Sequence, residues 1–247
     1  MTKILYLDIE STNLALNFGW TLCVGWATND SDVRTFGIDD FYRKAVYDDS
    51  GLMKYTYNLI CEHDVVVGWF SKRFDWKALQ TRMILAGCPP LPPVGSRHID
   101  LYDTAKLNFR LSSYHLDTVA RHLQCPFEKT PGARENPGLW LQAVAGERKA
   151  LGYVEDHCAQ DVQITRWVYN TIRPYIRQHP VVGDRGSCHV CGSVRLQFRG
   201  YSIRASKEVH EKRRVQCQDC GAWDLRGPTE PDVTRGAVLL NGETAQA

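Results

Sequence analysis

The chain has 247 residues, 30 Lys/Arg against 28 Asp/Glu, and is 43% hydrophobic and 23% charged. That length holds one domain with a full core plus a small appendage, and the composition excludes a disordered or fibrous chain. No apolar run approaches the roughly 18 residues of a membrane helix, and the opening "MTKILYLDIE" has no h-region or cleavage site, so the expectation is a cytosolic protein without membrane contact.

The pattern along the chain is that of an α/β domain. Residues 3–9 read as a buried strand, and "TLCVGWAT" (21–28) and "VRTFGI" (33–38) follow at the short spacing of a meander. "GLMKYTYNLICEH" (51–63) has helical periodicity, and "DVVVGW" (64–69) is a β-branched central strand. "FDWKALQTRMILAG" (74–87) is an amphipathic helix ended by Gly87. "CPPLPPVG" (88–95) is a loop and "RHIDL" (97–101) a short strand. Helices are predicted over 102–109, 115–124, 138–145 and 153–176, the last broken near Pro174. Strands first, then strand–helix alternation, predict a mixed sheet flanked by helices. "RQHPVVGDRGS" (177–187) reads as a linker, and the residues after 226 lose periodicity, as a tail does.

Charge and cysteine divide the chain unevenly. Residues 183–226 hold nine Lys/Arg and five Asp/Glu, a net of +4, which leaves 21 against 23, a net of −2, elsewhere. Of nine cysteines, Cys23, Cys61, Cys88, Cys125 and Cys158 are scattered singly. The other four form two Cys-x-x-Cys pairs, Cys188/Cys191 and Cys217/Cys220, 25 residues apart. Odd total and ligand spacing argue against a disulfide framework. Two such knuckles hold one structural Zn²⁺ through four thiolates. Gly192 and Gly221 follow them and suit the tight knuckle turn. A segment this small lacks a core of its own, so the metal supplies its folding energy. Arg199, Tyr201, Arg204, Lys212, Arg213 and Arg214 lie between the pairs. Cations interleaved with aromatics suit a single-stranded nucleic acid, charge for phosphates and rings for bases.

The first strand poses the sharper question. Asp8 and Glu10 are two apart, so in a strand they share one face at the end of a buried element. Like charges there repel, and burial strengthens the repulsion. A divalent cation is the economical reason for such a pair. Asp75 opens a helix just after a strand, at the carboxyl end where α/β proteins keep their sites. In "YVEDHCAQDVQIT", His157 and Asp161 are four apart and share a helix face. Each residue alone has a plain reading: a turn pair for Asp8 and Glu10, a helix cap for Asp75, a surface histidine for His157, a solvated carboxylate for Asp161. Asp100 and Asp103 read as structural, and Asp156 as exposed.

Taken in order, "LDIEST", "VVVGWFSKRFDWKAL" and "HCAQDV" resemble the three motifs of the DnaQ-like, or DEDD, 3′–5′ exonucleases of the ribonuclease H-like superfamily. The resemblance covers residues 1–178. It implies a ribonuclease H-like domain there, while the cysteine spacing reads as a zinc ribbon over 183–226 and the lost periodicity as a tail over 227–247. The resemblance also implies two Mg²⁺ or Mn²⁺ ions held by Asp8, Glu10, Asp75 and Asp161, with Asp8 bridging and Asp75 acting mainly through a bound water or the second ion. His157 would be the base, or the group that orients the attacking water. The implied substrate is single-stranded nucleic acid, DNA favoured, in replication or repair. The arrangement is similar to that of phage-encoded exonucleases, and a polymerase is the implied protein partner. Two features depart from the family. His157 stands four residues before Asp161, the register of the family's Tyr subclass, and no Asn precedes Phe74 and Asp75; Ser71 is the nearest polar substitute. Rival readings are an endonuclease or ribonuclease of the same fold, and a non-catalytic nucleic-acid-binding protein.

Overall fold

The structure is a computed structural model and describes residues 2–42, 45, 47–92, 97–176, 178–204 and 210–227. The chain divides into two compact units, Lys3–Ile172 and a second from Arg173 onward.

The larger unit is built on a five-stranded mixed sheet in the order β3-β2-β1-β4-β5, formed by β1 (Ile4–Ser11), β2 (Thr21–Ala27), β3 (Arg34–Gly37), β4 (Val65–Gly68) and β5 (His98–Asp100). β1, β2 and β3 are an antiparallel meander, while β4 and β5 join parallel to β1. β1 is central and covered on both faces, which is why it reads as a nearly continuous apolar run. Its odd residues Leu5, Leu7 and Ile9 pack with Val24 and Val66 against α1 (Ser50–Cys61) and α2 (Asp75–Leu85) through Leu52, Ile60, Leu79 and Met83. Each such side chain contributes about 1.5–3 kcal/mol on full burial.

Its even residues face the long helix α6 (Arg148–Ile172), where the Tyr6 ring meets Tyr169 edge-on at 5.4 Å. The same even register carries on to Asp8 and Glu10. α3 (Leu101–Asn108), α4 (Leu116–His122) and α5 (Pro137–Val144) complete the unit. α6 begins five residues before the predicted start. Gly152, which breaks the periodicity, costs about 1 kcal/mol in a helix, and the burial of Ala150, Leu151 and Val154 in one cluster with Trp140 of α5 offsets it. Its α-helical part ends at Ile172, and Pro174 lies in the 3₁₀ turn that follows.

In the second unit, β6 (Leu196–Arg204), β7 (His210–Cys217) and β8 (Trp223–Arg226) form an antiparallel sheet. Its buried apolar cluster is small: Cys188, Val190, Leu196, Val215, Cys217 and Ala222. The end of the predicted linker belongs to this unit, because the Val182 N–H donates to the His189 carbonyl (3.0 Å) and Arg226 donates to the carbonyls of Gly186 (2.7 Å) and Ser187 (2.5 Å). Apart from Gly227, the predicted tail lies outside the described residues. Among the described residues no helix is long and apolar enough to cross a membrane.

Candidate active site

Four elements converge at the carboxyl end of β1. Asp8 and Glu10 project from it toward α6, and a register shift between Glu10 and Ser11 ends its regular pairing. Asp8 stands opposite Gly25 of β2. A Cβ at Gly25 would lie 2.9 Å from Cys158 Sγ and 3.0 Å from Val162 Cγ2. The missing side chain therefore lets α6 close on the sheet. Cys158 Sγ rests 3.4 Å from Asp8 Oδ2, and His157 and Asp161, on either side of that contact, enter the cluster.

Asp75 arrives by a different device. The turn after β4 forces Phe70 into the left-handed region (φ 59°), which costs a non-glycine residue about 1–3 kcal/mol. The buried Asp100 carboxylate holds that turn, accepting from the N–H groups of Phe70 (2.9 Å), Lys72 (3.0 Å) and Tyr102 (3.0 Å). Asp75 is thereby the first residue of α2, buried to 6% exposure, with Phe74 in the cap position. Ser71 Oγ is hydrogen-bonded to His98 Nε2 at 2.9 Å, so its hydroxyl is engaged away from the carboxylates. Asp156 is exposed.

The electrostatics reflect crowding. Burial, then Asp161, Asp75 and Glu10, hold the Asp8 carboxyl well above its ordinary range. Burial and then Asp161 push Glu10 up to about 8. Burial pushes Asp75 up to about 7, opposed by its own and the Ile9 backbone N–H. His157 is shifted the other way, lowered chiefly by burial with Asp161 opposing. Its Nδ1 meets Thr130 Oγ1 at 3.1 Å, while Nε2 faces Glu10 Oε1 (3.8 Å) and Asp161 Oδ2 (3.9 Å). Lys129 Nζ sits 2.7 Å from Asp161 Oδ2. Asp8, Lys129 and Asp161 line a cleft of about 1200 Å³ whose walls include Trp69, Phe70, Tyr102, Tyr114 and Phe127.

The mixed sheet flanked by helices agrees with a family comparison: the RNase_H superfamily model matches residues 5–173. The chain belongs to the RNase_H superfamily. Among solved structures, it is similar to the family B DNA polymerase from the hyperthermophilic archaeon Pyrobaculum calidifontis, with a TM-score of 0.52 and 19% identity over 71% of this chain and 26% of that one. At that identity the likeness is one of fold. The chain thus spans about a quarter of the polymerase's length. No curated protein matches it.

The residues of this RNase_H superfamily domain fit a hard divalent cation. Asp161 Oδ1 is buried with no hydrogen-bond partner. Ligand atoms of Glu10, His157 and Asp161 lie within 4.8 Å of one another. The raised carboxyl pKa values mark a cluster short of positive charge. That three-residue group includes His157, which the sequence suggests as a base, so its ring nitrogen stands as near as the carboxylate oxygens. Nothing in the sequence points to Lys129, Thr130 or Gly25. The first two lie in "FEKTPGARENPG", which has no periodicity to place it, and Gly25 resembles any strand glycine.

In the second unit the four cysteine sulfurs also lie within 4.8 Å of one another, with Cys188···Cys220 at 3.7 Å and Cys191···Cys217 at 3.6 Å. A tetrahedral ion with Zn–S bonds of about 2.3 Å places its sulfurs about 3.8 Å apart, so the set fits zinc. The knuckles repeat one geometry. Gly192 (φ 75°) donates to the Cys188 carbonyl at 2.8 Å, and Gly221 (φ 79°) to the Cys217 carbonyl at 3.1 Å. Phe198, Arg199, Tyr201, Lys212, Arg214, Trp223 and Leu225 are exposed. Arg213 is half-buried and donates to the Gly227 carbonyl at 3.1 Å. The Arg204 side chain lies outside the described residues.

Proposed function

We propose that the protein is a metal-dependent 3′–5′ exonuclease of the DnaQ-like type that hydrolyses phosphodiester bonds of single-stranded nucleic acid, DNA by preference. Superfamily membership supports a nucleic-acid hydrolase in general. The observation that carries the finer reading is the meeting of Asp8, Glu10, Asp75 and Asp161, from three separate motifs, beside an unpartnered buried oxygen of Asp161.

These four carboxylates would hold two Mg²⁺ or Mn²⁺ ions. Bound there, the ions would polarise the scissile phosphate and the attacking water. His157 contributes a ring kept neutral by burial, so it can accept a proton at Nε2 while Thr130 fixes it through Nδ1. The rings along the cleft offer stacking faces to unpaired bases, which suits a single strand better than a duplex. In the second unit, Cys188, Cys191, Cys217 and Cys220 would hold one Zn²⁺. Arg199, Tyr201, Lys212 and Arg214, joined by Trp223, would grip the strand.

The test is Mg²⁺-dependent release of mononucleotides from single strands labelled at the 3′ or the 5′ end, in matched DNA and RNA. Early release of the 3′ label as a mononucleotide, faster from DNA, is the expected outcome. Internal fragments would establish an endonuclease instead, and no cleavage of any strand would leave a binding protein.

A further inference from the structure

The segment between α4 and α5 has no helix or strand, yet it is fastened to α6 at four points. The Tyr153 hydroxyl donates to the Pro131 carbonyl (3.0 Å), the Thr130 N–H donates to Gln160 Oε1 (2.8 Å), the Thr130 hydroxyl meets His157 Nδ1, and Lys129 pairs with Asp161. Gly132 lies so close that a Cβ there would stand 3.2 Å from His157 Cε1 and Nε2. These partners, 153, 157, 160 and 161, follow one face of the helix that brings Asp161 to the site.

Lys129 is the odd member of this set. Its ammonium is placed among carboxylates that otherwise only repel one another, and its side chain is 27% exposed to the cleft. It takes one Asp161 oxygen, Oδ2, while the other, Oδ1, has no partner. A divalent cation bound by Asp161 would come within a few ångströms of this ammonium. In a partly buried site, like charges so close repel strongly.

We propose that Lys129 is a built-in counter-ion that competes with the divalent metal for Asp161, so that metal entry displaces its ammonium and undoes one of the four points that fasten the segment to α6. The inference rests on the reading of Asp161 as a metal ligand. It adds that metal affinity is set partly by an internal cation, and that one side chain lining the cleft, Lys129, responds to metal before any nucleic acid arrives.

The experiment uses the full chain and Mn²⁺ alone, without nucleic acid. Calorimetry measures Mn²⁺ affinity for the wild type, Lys129→Met and Lys129→Arg. Removing the competing charge should tighten binding about tenfold in Lys129→Met, in the range that a partly buried ion pair is worth, and Lys129→Arg should stay near wild type. A second arm needs no variant: amine acylation of the wild-type protein, read by mass spectrometry, should rise at Lys129 when Mn²⁺ replaces chelator and stay constant at the exposed Lys77. Both results are required. Unchanged or weaker Mn²⁺ binding by folded Lys129→Met, or labelling of Lys129 indifferent to Mn²⁺, overturns the competition; if Lys129→Met does not fold, the labelling arm decides alone. A folded wild type that binds no Mn²⁺ removes the metal-site reading itself, and this inference with it.

Discussion

The carboxylate cluster of the larger unit and the cysteine cluster of the smaller one each gather four acidic side chains, but what surrounds them differs. Around Asp8 and its neighbours stand a two-faced central strand, three helices and a core of fully buried Leu, Ile, Val and Met. That core can hold these carboxyl groups together without metal, and burial first, then mutual repulsion, raises the pKa values of Asp8, Glu10 and Asp75. Around the cysteines the apolar cluster has six members, two of them cysteines themselves. Such a cluster cannot offset the ordering of the chain around it. In the first unit the fold would make the proposed metal site; in the second the metal is expected to make the fold.

The largest effect expected from this contrast is on turnover. Asp8→Asn should lower cleavage by orders of magnitude while the larger unit stays folded, as circular dichroism and the activity assay together would show. In chelator the variant should melt higher than wild type, because one repelling carboxylate is gone. Substantial Mg²⁺-dependent cleavage by Asp8→Asn would remove the two-metal reading.

Next in size is His157→Ala, which should lose roughly 10²–10⁴-fold in rate if the ring moves or places a proton. Mn²⁺ affinity separates the two roles open to it: retained affinity keeps His157 as a base, and a matching loss makes it a ligand beside Glu10 and Asp161.

Zinc removal should divide the molecule. Cys188→Ser with Cys217→Ser should abolish amide-exchange protection in β6–β8 and leave protection in β1 and β4 intact. Protection that persists in the smaller sheet without metal would show that its six-residue cluster is enough.

Two smaller effects sharpen the comparison. Lys212→Glu with Arg214→Glu should flatten the salt dependence of binding to long single strands, by about 0.7 in log–log slope for each phosphate no longer neutralised. An unchanged slope would make the second unit a structural or protein-docking module. In metal-free protein, Glu10 and Asp75 hold protons up to about pH 8 and about pH 7 when folded but release them near pH 4 when unfolded. The folded form binds more protons across that window, so stability should fall as pH rises from about 4 to about 8. Saturating Mg²⁺ should flatten the slope, and denaturant melts at a series of pH values would show it.

Much of this is legible in the chain. Alternation along "ILYLDIES" places Asp8 and Glu10 on one face, because side chains in a strand repeat every two residues. The spacing of His157 and Asp161 does the same on a helix. The Cys-x-x-Cys pairs announce their ligand geometry because each knuckle is local. The start of α6 is hidden because Gly152 interrupts the pattern, and tertiary packing of Ala150 and Leu151 overrides that local cost. The linker boundary is hidden because the hydrogen bonds that tie residues 182–187 to the smaller unit come from His189 and Arg226, farther along the chain.

The sequence by itself therefore determined the mixed α/β class, the order of the acidic motifs and the four-cysteine cluster, all of which depend on residues near one another in the chain or on a pattern repeated within one element. Only the tertiary structure decided which groups complete the site. Lys129 reaches Asp161 across 32 residues, Cys158 lies on Asp8 across 150, and Asp100 holds the turn before Asp75 from a neighbouring strand. No local periodicity encodes such contacts, because they arise from how separately formed elements pack, and a lysine in an aperiodic loop looks like any solvated charge until the helix it binds is in place.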